Sequence, residues 1–428
     1  MDLWPIVLML ALFALNVPVT FAIGLSALAF FAFAPGVPID IFAQRLVAVT
    51  DSFPLLAVPL FVLAGAIMNA GGITRRLLSL ADALVGHMAG ALAQTCIVLA
   101  TLLGGLTASA SADAALLAKT LGPDMVTRGY SPAFAAVITS CASISTALIP
   151  PSIALVIYGY LADASVGRLF LAGIVPGLVI SGFLMATTYF VAKRRNYVPV
   201  RAQFVGRAEL GRRLRDASWA LSIPVFIVLG LRYGVFTPTE SGAIIVVYAM
   251  MVGFFQGDLR FSQLPTIISE TVVDSSIVML VVATSSALGF YMAWEQLPPQ
   301  MAAWVVALTD NPWLLLFLIN ILLVVLGMPF EGTAILIILT PIFVPEIAKL
   351  GIDPVHFGII FVTNIVISGV TPPVGQMMFI SCAVLRVPMK TYSIEVLPFL
   401  GAMLLALALI IFVPQVSLFL PNLLMGPG

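Results

Sequence analysis

Apolar stretches dominate this chain, and polar positions interrupt them at wide intervals. The windows 6–33, 53–69, 169–192, 219–231, 243–255, 314–326 and 399–413 contain no Asp, Glu, Lys or Arg. About 20 apolar residues at about 1.5 Å each cross a hydrocarbon core of about 30 Å, so these windows predict membrane-spanning helices. Some are short and others are broken by Pro or Gly; the pattern predicts roughly ten to twelve crossings. The chain opens Met-Asp-Leu-Trp, with no Lys or Arg ahead of a long apolar run. That reads as a first span, not as a cleaved signal peptide.

The only long polar stretch is 193–216. It holds Lys193, Arg194, Arg195, Arg201, Arg207, Arg212, Arg213 and Arg215 against Glu209 and Asp216. By the positive-inside rule this linker is cytoplasmic, as are Arg386 and Lys390. It divides the chain into a first membrane repeat, 1–192, and a second, 217–428.

Composition removes the alternatives to a membrane protein. The 428 residues are 61% hydrophobic and 9% charged, against about 45–50% and about 25% in soluble domains. So few charges cannot cover a water-exposed surface, and the lipid bilayer is the solvent for much of the chain. Formal net charge is zero, which argues against a nucleic-acid partner. Cys96, Cys141 and Cys382 lie in apolar segments without paired spacing, as buried small hydrophobes do. With only His87 and His356, no transition-metal site of the usual His/Cys kind is expected. The P-loop, H-E-x-x-H and G-x-S-x-G motifs are absent from the sequence, so neither ATP-driven nor enzymatic chemistry is expected within this chain. Uphill movement of a solute would then draw on an ion gradient.

The halves resemble each other. Sliding 105–152 by 222 positions lays it on 327–374 without a gap, with nine identities, six of them Gly or Pro. Those six pairs are Gly105/Gly327, Pro123/Pro345, Gly129/Gly351, Pro132/Pro354, Pro150/Pro372 and Pro151/Pro373. Residues that set backbone direction are the ones shared, so chain path is repeated; transporter precedent favours inverted repeats. Both Pro-Pro pairs sit among Gly, Ser and Thr within apolar segments, Ser143-Ile-Ser-Thr-Ala-Leu-Ile-Pro-Pro-Ser152 and Ser368-Gly-Val-Thr-Pro-Pro-Val-Gly375. A broken helix near 143–153 and another near 368–376 would free carbonyls for a hard cation and N–H groups for an anion. The alternative is a plain kink satisfied by neighbouring helices.

Before each break lies a small, polar element with one carboxylate, Gly104-Gly-Leu-Thr-Ala-Ser-Ala-Ser-Ala-Asp113 and Gly327-Met-Pro-Phe-Glu-Gly-Thr-Ala334. About a dozen residues to the next turn is too short for two crossings, which predicts re-entrant hairpins near 105–125 and 327–346. Asp113 and Glu331 have no basic neighbour in their own segments. A carboxylate inside a bilayer needs a partner, and a bound Na⁺ or proton would supply one; otherwise these residues cap helices. Glu240, in Phe236-Thr-Pro-Thr-Glu240, begins a helix at an interface. Asn320 and Asn364 read as interhelical hydrogen-bonding residues, His356 as a turn residue, and Glu270, Asp274 and Glu295 as water-facing flanks.

With Ser109-Ala-Ser-Ala-Asp-Ala114, Ile149-Pro-Pro-Ser-Ile153, Phe236-Thr-Pro-Thr-Glu240, Leu350-Gly-Ile-Asp-Pro-Val-His-Phe-Gly358 and Val370-Thr-Pro-Pro-Val-Gly375, the chain resembles the large membrane subunit of TRAP (tripartite ATP-independent periplasmic) transporters over essentially its whole length. The resemblance implies an all-α polytopic membrane protein of the bacterial inner membrane, an elevator-type secondary transporter with inverted repeats. It implies Na⁺ as coupling ion, no other cofactor, and an organic acid as cargo. The implied partners are a small membrane subunit of about four helices and a periplasmic substrate-binding protein. It places Na⁺ contacts at Ser111, Asp113, Ser145, Gly327, Glu331, Thr333 and Thr371. Substrate contacts fall at Ser109, Pro150, Pro151, Ser152, Pro372, Pro373 and Gly375. Three departures stand out: Thr107-Ala-Ser-Ala110 replaces a Gly-Ser-Gly-Ser type tip, Glu331 replaces Asp, and Met377 stands where Asn is common. A stand-alone divalent-anion carrier and an uncoupled channel or scaffold are the competing readings.

Overall fold

The computed structural model describes residues 3–426 except Asn16, Pro35, Thr50, Ala108, Val200, Ala202, 297–299, 301–311, 329–331 and Val374. Every regular element among them is helical. The first part comprises α1 (Trp4–Ala14), α2 (Val19–Phe33), α3 (Asp40–Ala48), α4 (Ala57–Ala70) and α5 (Ile73–Val85). Next come α6 (Ala91–Gly104), α7 (Ala110–Thr120), α8 (Gly122–Thr127), α9 (Pro132–Ala142), α10 (Ile153–Leu161) and α11 (Val166–Arg194). After the basic linker stand α12 (Arg207–Arg232), α13 (Pro238–Phe255), α14 (Leu264–Trp294), α15 (Pro312–Gly327) and α16 (Gly332–Lys349). The chain ends with α17 (Pro354–Ser368), α18 (Gln376–Leu385), α19 (Met389–Glu395), α20 (Leu397–Phe412) and α21 (Gln415–Met425).

The helix starts follow from local chemistry, and they start alike in both repeats. Ser131 caps α9 by accepting from the Phe134 N–H, and Asp353 caps α17 by accepting from Val355 and His356. Both caps precede a proline that lacks the N–H a first-turn residue cannot pair anyway. Two residues before each cap, Gly129 and Gly351 hold φ of 86° and 76°, a left-handed turn that a side chain would strain. The bonds Pro150–Pro151 and Pro372–Pro373 are both cis. The offset of 222 therefore relates caps, turns and breaks alike. Thr237 and Glu240 form a reciprocal capping box on α13, as the Thr-Pro-Thr-Glu sequence predicts.

Two expectations are corrected by the helix bounds. Window 6–33 is not one span: it is the pair α1 and α2, parted before Pro18, which can neither donate to a helix ladder nor let Val17 adopt helical angles easily. The Trp4 and Phe33 rings lie 6.4 Å apart, so the pair folds back on itself. The hairpins also begin earlier than the sequence indicates. Their first arms are α6 and α15, apolar helices that pattern alone reads as ordinary spans, ending at Gly104 and Gly327. Among the described residues six helices are long and apolar enough to cross alone, or seven if α19 and α20, bent by 51°, make one span; the remaining apolar helices are 10–17 residues long.

The helices sort into two groups. An outer group packs α4 on α13, α2 on α14, and α4 on α14. An inner group holds both hairpins, both broken helices, α11, α20 and α21. Within it α10 packs on α16 and α17 of the second repeat, while α18 packs on α7 and α9 of the first. This exchange is what a two-fold relation between the repeats produces. α9 beyond its first residue and α17 beyond its first are buried throughout, as an all-round apolar helix at the centre must be. By contrast Phe226 of α12, which packs on α13, and Val247, Met251 and Val272 of the outer group are exposed, as apolar side chains turned to lipid would be. Between the groups the main contacts are α5 on α6, α14 on α16, and α4 with the 3-10 turn Phe53–Leu56 on α10.

Ion pairs fasten the linker. Asp82 of α5 accepts from Arg201 at 2.5 Å and Arg213 at 3.1 Å, and Arg195 pairs with Glu395 at 2.6 Å.

Candidate functional site

The two breaks and both hairpin tips converge because glycine allows them to. A Cβ on Gly104 would stand 3.1 Å from the Thr146 Cα and 2.9 Å from the Ile149 Cβ. On Gly327 it would stand 1.8 Å from the Ser368 hydroxyl oxygen. Positions 146 and 368 are 222 apart and the two glycines 223, so a tip glycine packs on the equivalent break position in each repeat, one residue out of register. Between them, at the junction of inner and outer groups, opens a cavity of about 820 Å³. Its outer wall comes from α4 and α14, including Phe61, Asn69, Asp274, Ile277 and Val281.

Four helices begin on this cavity. The first-turn residues Ala110 and Ser111 of α7, Ile153 and Ala154 of α10, Gly332 and Thr333 of α16, and Gln376 and Met377 of α18 all line it. Each N-terminus carries a fraction of a positive charge, about +0.5. The ends of α15 and α17 reach the same space through Gly327 and Gly369. Helix starts and helix ends thus meet at one cavity, the arrangement by which broken helices serve anions and cations in transport sites.

The expected site residues divide between the wall and the layer behind it. Ser109, Ser111, Asp113, Ser152, Gly327 and Thr333 line the cavity. Asp113 is 1% exposed; the Thr107 hydroxyl donates to its carboxylate, and the Thr146 hydroxyl lies beside it. Ser109 caps α7, accepting from the Ala112 N–H at 3.4 Å. Ser152 caps α10, accepting from Leu155 at 3.3 Å and donating to the Ala147 carbonyl at 2.5 Å. Ser145, Thr371, Pro150, Pro151, Pro372, Pro373 and Gly375 do not line the cavity. Ser145 and Thr371 are buried behind it and donate to the Ala142 and Ile367 carbonyls at 2.9 and 2.8 Å, which leaves their oxygen lone pairs free. The prolines act through the backbone they break, and Gly375 is the N-cap of α18, where a Cβ would meet the Gly369 carbonyl oxygen at 2.5 Å. Glu331 lies outside the described residues.

Sequence reading missed Thr107, Asn69, Asp274 and Gln376 on the wall. Asp274 was readable: a carboxylate directly before an apolar run can belong to the same helix, and α14 extends 31 residues across both. Asn320 and Asn364 are joined as expected, the Asn364 amide donating to the Asn320 side-chain oxygen at 2.5 Å between α15 and α17. His356 sits in the first turn of α17, its Nδ1 2.6 Å from the Ser417 hydroxyl. The three cysteines are buried and unpaired.

The family described as "Tripartite ATP-independent periplasmic transporter, DctM component" matches residues 6–416. The sialic acid TRAP transporter large permease protein of Vibrio cholerae is 39% identical over 420 residues, 98% of each chain. The C4-dicarboxylate TRAP transporter large permease protein of Pseudomonas aeruginosa is 38% identical, over 94% of each. An isethionate TRAP permease of Oleidesulfovibrio alaskensis, DctMQ, is 37% identical over 94% of this chain and 64% of its own length. Among solved structures, the YdaH transporter of Alcanivorax borkumensis superposes with a TM-score of 0.63 at 16% identity, covering 96% of this chain and 98% of that one; it shares the fold.

Proposed function

Because the chain belongs to the DctM component family of tripartite ATP-independent periplasmic transporters, we propose that it is the large membrane subunit of a Na⁺-driven importer of an organic acid. In this reading it lies in the bacterial inner membrane beside a small membrane subunit of about four helices. A periplasmic protein delivers the acid. The observation that carries the reading is the doubled seating of a glycine tip on a hydroxyl-bearing break, Gly104 on Thr146 and Gly327 on Ser368, around one cavity.

Each residue has a physical task. Asp113, with Thr107, Ser145 and the carbonyls of the first break, offers a hard cation the oxygen ligands it favours. The cation in turn offsets a carboxylate that would otherwise be costly so deep in the protein. Gly327, Thr333, Ser368 and Thr371 offer the equivalent oxygens in the second repeat. The N-termini of α7 and α10 then hold the acid's carboxylate. Cations fix tips to breaks, and a fixed pair of tips completes the acid site; this is the coupling. The inner group then moves with its cargo against the outer group.

The test is uptake into liposomes holding this chain and its small membrane partner, with the periplasmic protein outside. Uptake should follow an inward Na⁺ gradient and cease without the periplasmic protein. Accumulation indifferent to Na⁺ would sink the coupling, and undiminished uptake without the soluble protein would favour a stand-alone carrier. Asp113→Asn should weaken the Na⁺ dependence at normal expression; an unchanged Na⁺ response would remove Asp113 from the site.

A further inference from the structure

The basic linker carries more positive charge than its ion pairs use. Of the eight lysines and arginines between 193 and 216, Arg195, Arg201 and Arg213 have carboxylate partners. Arg194, Arg207, Arg212 and Arg215 are exposed and have none among the described residues. The positive-inside rule accounts for the amount of this charge, but not for where it stands on α12.

At 3.6 residues per turn, Arg212, Arg215, Trp219, Ser222, Phe226 and Leu229 fall within an arc of about 80°. All six are exposed. Along this one face the helix passes from two cations a turn apart, through an indole, to bare apolar side chains. Arg213, turned about 100° from Arg212, is the arginine that reaches Asp82 of α5. Beside the middle of the stripe α13 adds a second ring. The Tyr248 hydroxyl lies 2.6 Å from that of Ser222 and donates to the Trp219 carbonyl at 3.1 Å, and the Trp219 and Tyr248 rings stand 6.4 Å apart. Trp and Tyr favour the depth of lipid headgroups. Further into the bilayer, Ile244 and Val247 of α13 are exposed as Phe226 is.

We propose that this face of α12 and α13 binds an anionic phospholipid of the cytoplasmic leaflet, its phosphate held by Arg212 and Arg215, its glycerol at Trp219 and Tyr248, and its acyl chains along Phe226, Leu229 and Val247. Two guanidinium forks match phosphate oxygens in geometry as well as charge, and the apolar end of the stripe excludes a purely soluble anion. Asp216 stands four positions after Arg212, exposed and without an ion pair among the described residues, and it weakens the field that the two arginines present.

In the experiment the full chain, purified with its small membrane partner, is offered equal phosphatidylglycerol and phosphatidylcholine, and retained lipid is counted by native mass spectrometry. Phosphatidylglycerol should be retained in preference, and Arg212→Gln/Arg215→Gln should lower that preference about tenfold. Arg194→Gln/Arg207→Gln, equally exposed but off the stripe, should leave it unchanged, and Asp216→Asn should raise it. An unchanged preference in the first double variant, or an equal loss in the second, would overturn the inference. So would displacement of the lipid by excess glycerol 3-phosphate, which would make this a site for free phosphate. Loss of the small subunit from Arg212→Gln/Arg215→Gln would make the face a protein contact and overturn it too. A second measurement needs no arginine variant: quenching of Trp219 by brominated lipid, taken as the difference between the unmodified chain and Trp219→Phe. Brominated phosphatidylglycerol should quench more strongly than brominated phosphatidylcholine at equal bulk fraction, and equal quenching would sink the proposal.

Discussion

At Gly327 a single carbon decides whether tip and break can touch. Its Cβ would overlap the Ser368 side chain at 1.8 Å, so Gly327→Ala should separate them and lower Na⁺-driven uptake about tenfold or more, the scale of overpacking a close contact. Ser368→Gly in the same chain should restore part of the loss by making room. If the double variant is no better than Gly327→Ala, the contact is not what the glycine serves. At this scale the sequence was most informative where chemistry conflicts with surroundings. Asp113 drew notice as a carboxylate among alanines and leucines, and it lines the cavity almost fully buried. Thr107 and Asn69 drew none, since a lone hydroxyl or amide near a helix end is common and cheap. The prolines are expected as substrate contacts, whereas none of the four lines the cavity and the first residues of the helices after them do.

Helix ends were legible and helix partners were not. The pairs Gly129/Gly351, Ser131/Asp353 and Pro132/Pro354 fix where α9 and α17 begin, and each is a local property of four residues. The Thr237–Glu240 box on α13 is another, with Glu240 taking the Thr237 N–H at 2.7 Å. Thr237→Ala should cost about 1 kcal/mol of stability, the usual loss of a cap, read as a lower unfolding midpoint with uptake retained. An unchanged midpoint would show that α13 is held by its packing on α4 alone. The first hairpin arms escaped notice for a different reason. α6 and α15 are mainly apolar, and a 14- or 16-residue apolar helix carries no mark that says whether it crosses the bilayer or turns back inside the protein. What distinguishes them is the buried break they turn against, and that contact spans more than 40 residues of chain.

The whole molecule is two groups meeting at a cavity, and their interface predicts what can and cannot be joined. Contacts inside each group are dense, as between α7 and α18 or between α4 and α13, whereas few elements bridge the two. Transport by displacement of the inner group requires the bridging contacts to break and the internal ones to persist. Gly105 at the first tip faces Pro224 of α12, with a would-be Cβ 3.3 Å from the proline Cβ, close to the separation of a disulfide's Cβ atoms, about 3.5–4.5 Å. Thr139 of α9 and Ser381 of α18 are joined by their hydroxyls at 3.3 Å, wholly inside the inner group. In a background with Cys96, Cys141 and Cys382 replaced by alanine, oxidising Gly105→Cys/Pro224→Cys should stop uptake, and reduction should restore it. Oxidising Thr139→Cys/Ser381→Cys should leave uptake near its reduced level, because the two repeats move as one body. Uptake that survives the first link would place the moving boundary elsewhere, and uptake abolished by the second would mean that the repeats must separate from each other for the cargo to pass.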